Sequence, residues 1–134
     1  MKRFIWRPGY LLLLMTVAAP LFAQTQPDLN ANQTPVNTAV SASAVALIPK
    51  GLRFAHPGEL TVAISAMNSP PLSLLGNDNK SRIGSDPDIA RLLADGLGLK
   101  LRLAPVSCEE WPLGISSGRS DAALVNIAVT EDRQ

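Results

Sequence analysis

The stretch Asp86-Pro-Asp-Ile-Ala-Arg-Leu-Leu-Ala-Asp-Gly-Leu-Gly-Leu-Lys-Leu-Arg-Leu103 changes its hydrophobic period part-way along, and that change decides the fold. Ile89, Leu92, Leu93 and Leu97 recur at helical spacing and predict one apolar helix face. Asp86 is expected to cap the first N–H groups, Pro87 to take the first helical position, and Asp88 to sit at the positive end of the dipole. Gly98 suits the left-handed residue that follows a helix. From Leu99 to Leu103 apolar and basic residues alternate, as in a half-buried strand.

The flanks extend the pattern in both directions. Upstream, Leu60-Thr-Val-Ala-Ile64 is a β-branched run that predicts a buried strand. Asn68-Ser-Pro-Pro71 ends it with a rigid turn, Leu72–Leu75 reads as a short extended piece, and Gly76-Asn-Asp-Asn79 is turn chemistry. Downstream, Ser107 and Glu110 have capping-box spacing, Pro112 blurs the start of the helix that follows, and Gly118 ends it. Ala122–Val129 reads as a third apolar strand, and Thr130-Glu-Asp opens another helix. The order β-α-β-α-β predicts an α/β fold with a mainly parallel sheet. Ligands on such sheets bind outside the carboxyl ends of the strands. Three loops should meet there: Ser65–Leu72, Ala104–Glu109 and Asn126–Arg133.

The 134 residues suffice for one domain and are too few for a two-domain enzyme. The N-terminal part reads differently from the rest. Lys2, Arg3 and Arg7 precede the apolar run Tyr10–Ala19, Pro20 breaks it, and Ala23 sits at a plausible cleavage position. Residues 1–23 are therefore expected to be a cleaved secretory signal peptide, since the run is short for a membrane span. No cysteine follows the cleavage region, so lipid attachment is not expected. Loss of three basic and no acidic side chains turns the formal charge of +1 into about −2. Residues 24–58, rich in Gln, Asn, Thr, Ser, Ala and Pro, are expected to form a disordered or loosely ordered leader, with Val40–Ile48 as a possible short helix. The α/β unit is expected over residues 59–134.

Several chemistries are not expected. Near-neutral charge argues against a nucleic-acid partner. No His, Cys or carboxylate cluster has metal-ligand spacing, and no cofactor motif is present. Capping accounts for Ser107, Asp86 and Asp88, and no His or Cys is placed to make a catalytic pair, so no enzyme is expected. His56 reads as a bystander, and Trp111 as packing. Cys108, the single cysteine, precedes two glutamates and reads as structural.

Gly58-Glu-Leu-Thr-Val-Ala-Ile-Ser65, Pro70-Pro-Leu-Ser73, Gly84-Ser-Asp-Pro-Asp-Ile-Ala90, Leu97-Gly-Leu-Lys-Leu101, Ser117-Gly-Arg-Ser-Asp-Ala122 and Val129-Thr-Glu-Asp-Arg133 follow one another in this order. Together they resemble the first lobe of bacterial extracellular solute-binding proteins of family 3, the polar amino-acid type. The resemblance implies a periplasmic binding protein type II-like fold, of which this chain would be an incomplete first lobe. It implies a periplasmic receptor that closes on an amino acid or similar small carboxylate and delivers it to an ABC importer permease. Arg133 matches the family's carboxylate-binding arginine, whose planar fork suits that group. Asn126 and Val125 match positions that often offer hydroxyls and backbone groups. Ala128 stands in place of a frequent Ser or Thr, Ser69 in place of an aromatic that stacks on the ligand, Ala66 in place of an acidic residue that helps hold the amino group, and Leu72 in place of a Phe or Tyr. These departures leave open a more apolar solute, a different carboxylate or a weakened receptor. Two other readings use the same fold: a periplasmic dehydratase acting on cyclic amino-acid precursors, and a sensor or adaptor module.

Overall fold

The computed structural model describes residues 35–133 of the chain. The signal peptide expected over residues 1–23 and the first part of the leader lie outside them. The elements run α1 (Ala42–Ala46), β1 (Glu59–Ser65), β2 (Leu74–Leu75), β3 (Arg82–Ile83), α2 (Ser85–Gly96), β4 (Lys100–Val106), α3 (Trp111–Ser116) and β5 (Ala122–Leu124), followed by a 3-10 turn, Glu131–Arg133.

The fold is mixed α/β. Its main sheet has three parallel strands in the order β4-β1-β5. Central β1 is buried from Leu60 to Ser65 with no alternation, as a strand covered on both faces should be. Edge strand β4 alternates in its first half, with Lys100 and Arg102 exposed. Arg102 Nε donates to Glu59 Oε2 at 2.6 Å across the β1–β4 pair, and this hydrogen bond is the main reason the Glu59 carboxyl lies below its ordinary pKa. The sheet itself is thus the one expected, except that β5 is short. It ends at Leu124, and Asn126, with φ at +56°, leaves the extended geometry that a strand to Val129 would need.

Helix α2 packs through a different face from the one its leucines predicted. Ile89, Leu92 and Leu93 are 40–48% exposed, whereas Ala90 and Ala94 are fully buried and Pro87 is buried with them. Ala90 and Ala94 join Leu60 and Val62 in the core, with Phe54, Leu99, Leu101, Leu103, Ala122 and Leu124 packed against them. Small side chains one turn apart let the helix axis approach the sheet closely. The larger leucines fall beside that contact. Volume, not hydrophobicity, selects the buried stripe.

The helix ends also differ in part. Asp86 is not the cap: α2 begins at Ser85, two residues before the start an Asp86 cap implies, and Gly84 precedes it without a side-chain cap. The Ser85 and Asp86 N–H groups donate instead to the carbonyls of Pro71 (3.3 Å) and Leu72 (3.0 Å). Pro87 therefore occupies the third helical position rather than the first. Gly84 has φ of +124°, and a Cβ there would lie 2.5 Å from the Leu72 carbonyl oxygen. Only glycine permits this approach. The C-terminal reading is correct: Gly98 at φ +69° donates to Asp95, and Leu99 to Ala94, which closes a Schellman motif.

Two smaller features complete the unit. The Leu72–Leu75 piece is the first arm of a hairpin, β2 pairing antiparallel with β3, a strand the sequence pattern is too short to reveal. For α3, the Ser107 N–H donates to Glu110 Oε2 at 3.2 Å, one half of the expected capping box, but Glu110 itself is the N-cap residue and Pro112 fits within the first turn.

Candidate functional site

The register of the sheet builds the candidate site. Ile64 pairs with Pro105 on one side and with Leu124 on the other. The chain therefore leaves β1, β4 and β5 within one residue of a common level, at Ala66, Ser107 and Val125. The Ala66 N–H donates to the Val106 carbonyl at 2.9 Å and holds the first two loops together. Ser65 Oγ accepts from the Met67 N–H at 3.2 Å and tightens the turn out of β1.

Of the expected site residues, Ala66, Val125 and Asn126 meet at this rim directly. Val125 is 6% exposed and Asn126 is exposed. Ser69 and Leu72 belong to the same loop but are held by backbone pairing. The Ser69 N–H donates to the Ser73 carbonyl at 2.7 Å, and the Ser69 carbonyl accepts from Leu72 and Ser73. Leu72 is half-buried, its carbonyl spent on the start of α2. Ala128 is exposed in the irregular run after β5. Arg133 closes the 3-10 turn, which stands where Thr130 was expected to open a helix. The carboxylate contact expected of its side chain lies outside what the structure describes.

The sequence reading passed over Arg82. From β3 its Nη2 donates to the Ala66 carbonyl at 2.7 Å, and its Nη1 to Asn68 Oδ1 at 3.4 Å. Asn68 Oδ1 also accepts from the Leu75 N–H at 2.9 Å. Arg82 thus braces the loop after β1 against the hairpin. The Gly76–Asn79 turn signals only that the chain reverses there; nothing local singles out Arg82. Asp78 shapes that turn: it accepts from the Lys80 and Ser81 N–H groups and from the Ser81 hydroxyl, and the Ser81 bond leads in lowering its pKa to about 2.

The character of the rim follows from its side chains. Met67, Ile127 and Val129 are exposed. Asn126 and Ser69 offer hydrogen bonds among them. Ser73 Oγ, in the loop behind the rim, is buried without a hydrogen-bond partner among the described residues. Partial burial raises the Asp86 carboxyl above its ordinary pKa, opposed by a hydrogen bond with Ser85. No group of three or more His, Cys, Asp or Glu among the described residues could hold a metal ion. Cys108, read as structural, is exposed in the turn before α3, because that turn lies outside the packed core.

Residues 60–134, more than half of the chain, match the model of the bacterial extracellular solute-binding proteins, family 3. The chain belongs to that family. No curated protein and no solved structure matches it. The matched region begins at β1 and takes in the three rim loops, so membership rests on the same segments that build the site. Membership gives the chain a solute-binding role with a small-molecule ligand. The rim carries alanines at Ala66 and Ala128 and a buried valine at Val125.

Proposed function

We propose that this family-3 chain is a periplasmic substrate-binding component of an ABC importer for amino acids or related small carboxylate solutes. The observation that carries the reading is that three parallel strands of the matched region end on the same side, within one residue of a common level, at Ala66, Ser107 and Val125. Ligands on such sheets sit outside the carboxyl ends of the strands. In this reading Arg133 receives the carboxylate, Asn126 adds a hydrogen bond, and Ser69, Leu72, Ala66, Val125 and Ala128 shape the walls. With few polar partners besides the arginine, the favoured solute pairs a carboxylate with an apolar body. Export through a cleaved signal peptide over residues 1–23 would deliver the chain to the periplasm without a lipid anchor. The role is binding, not catalysis.

Calorimetry with a panel of amino acids and small carboxylates tests the reading. An apolar carboxylate solute is expected to bind, and Arg133→Gln to weaken it by tenfold or more, the worth of a charge-assisted hydrogen bond. A panel in which nothing binds, or binding indifferent to Arg133→Gln, would refute it.

A further inference from the structure

A cavity lies away from the rim, where the chain before β1 passes the amino ends of the strands. It measures about 560 Å³, and its apolar walls include Leu52 and Phe54 from that segment, Leu60 from β1, Leu97 after α2, and Ile115 from α3. That volume and lining are those of a small-molecule site. The segment forming one wall is held in place. The Ser41 N–H donates to the Gly96 carbonyl at 2.8 Å, and the Ala55 N–H to Asp121 Oδ1 at 2.7 Å. Leu52 and Ile115 keep 53% and 36% of their surface exposed, so the apolar walls remain open to a ligand.

The polar groups of the cavity set the charge of what fits. Asp121 lines it, but both carboxylate oxygens already accept backbone N–H groups, from Ala55 and Thr61. Arg53 also lines it and makes no ion pair or hydrogen bond through its side chain among the described residues. One free guanidinium beside an apolar cavity complements an anionic head on an apolar body. We infer that this cavity is a second binding site, distinct from the rim, for a small amphipathic carboxylate.

Decanoate serves as the probe, read by methyl NMR on the full chain. Saturable shifts are expected at Leu52, Leu60, Leu97 and Ile115, with Val125 and Ala128 unmoved. Arg53→Glu, at an exposed position, should weaken decanoate about tenfold and favour decyltrimethylammonium instead. Ile115→Trp, which narrows the cavity from an exposed position, should abolish the shifts while leaving the rest of the spectrum in place. The inference is overturned if decanoate produces no saturable shift, if the shifts fall at the rim, or if Arg53→Glu leaves affinity unchanged. It is equally overturned if the cavity signals move with protein concentration alone, which would assign the cavity to a second copy of the chain.

Discussion

Asp121 is the residue whose loss should cost the fold most for its size. It stands one position before β5, where the β1–β5 ladder has not yet begun. Its side chain supplies the missing partner. Oδ2 accepts from the Thr61 N–H at 2.7 Å, while the Asp121 N–H donates to the Thr61 carbonyl at 2.8 Å. Oδ1 accepts from Ala55, so one carboxylate joins the chain before β1, the central strand and the end of the α3–β5 connection. A hydrogen bond to a charged group contributes about 1.5–3 kcal/mol, and removing the acceptor also strands the N–H of Thr61, which is buried. Two such bonds suggest about 3–6 kcal/mol; the half-buried position of Asp121 lets water satisfy part of the loss, so we take about 3 kcal/mol.

Urea denaturation of Asp121→Ala is the assay. With a slope of about 1–1.5 kcal/mol per molar for a domain of this size, the midpoint should fall by about 2–3 M. Asp121→Asn keeps one oxygen acceptor and should lose about half as much. Amide hydrogen exchange supplies a local signature: Thr61 and Ala55 should lose protection before the rest of β1 does. A midpoint within about 0.5 M of the parent chain would refute the reasoning, because that is under 1 kcal/mol on the same slope. Unchanged protection at Thr61 would refute it independently.

Three further outcomes are expected. Gly84→Ala places a Cβ 2.5 Å from the Leu72 carbonyl oxygen at a φ of +124°, so it should destabilise by a few kcal/mol in thermal unfolding and loosen the loop carrying Ser69 and Leu72. Ala94→Leu overpacks the α2–sheet contact and should cost about 1–3 kcal/mol in urea, whereas Leu93→Gln should fall within about 0.5 kcal/mol of the parent; the reverse ranking would restore the leucine face as the buried one. The Asp78 carboxyl should titrate near 2 by NMR, and Ser81→Ala should raise that value toward the ordinary 3.8. Because the folded value lies below the unfolded one, the stability Asp78 contributes is present above about 3.8 and lost as pH falls toward 2.

The parallel sheet was legible because its signal is periodic. Leu60–Ile64 and the alternating Leu99–Leu103 each state their pattern within a few residues. The Gly98 stop was legible for a similar reason, since its conformation is local. What failed depended on the third dimension. Four large apolar residues outweighed two alanines by hydrophobicity, but the helix approaches the sheet through the alanines because they are small. Asp86 looked like a cap, yet the carbonyls that satisfy the helix start come from Pro71 and Leu72, fourteen residues back along the chain from the N–H groups they accept. Arg82 and Asp121 owe their roles to partners in other segments, and neither has a local sequence signature.

The same contrast separates scaffold from site. The register that brings Ala66, Ser107 and Val125 within one residue of a common level depends on backbone pairing and on small core residues, and all of these are in place. Ligand choice depends on side chains that the pairing does not constrain. At Ala66, Ser69, Leu72 and Ala128 those side chains are small or apolar, while the braces behind them, from Arg82 to the Ala66 carbonyl and from the Asp86 N–H to the Leu72 carbonyl, use backbone groups and not these side chains. Replacing Ala66 by Asp should therefore alter which solute binds without altering the loop, since its backbone N–H and carbonyl are already held by Val106 and Arg82 and its side chain is exposed. On the proposed reading, Ala66→Asp should shift preference from apolar carboxylates toward solutes that also carry an ammonium group. A preference that did not move would place the amino-group pocket elsewhere and remove Ala66 from the site.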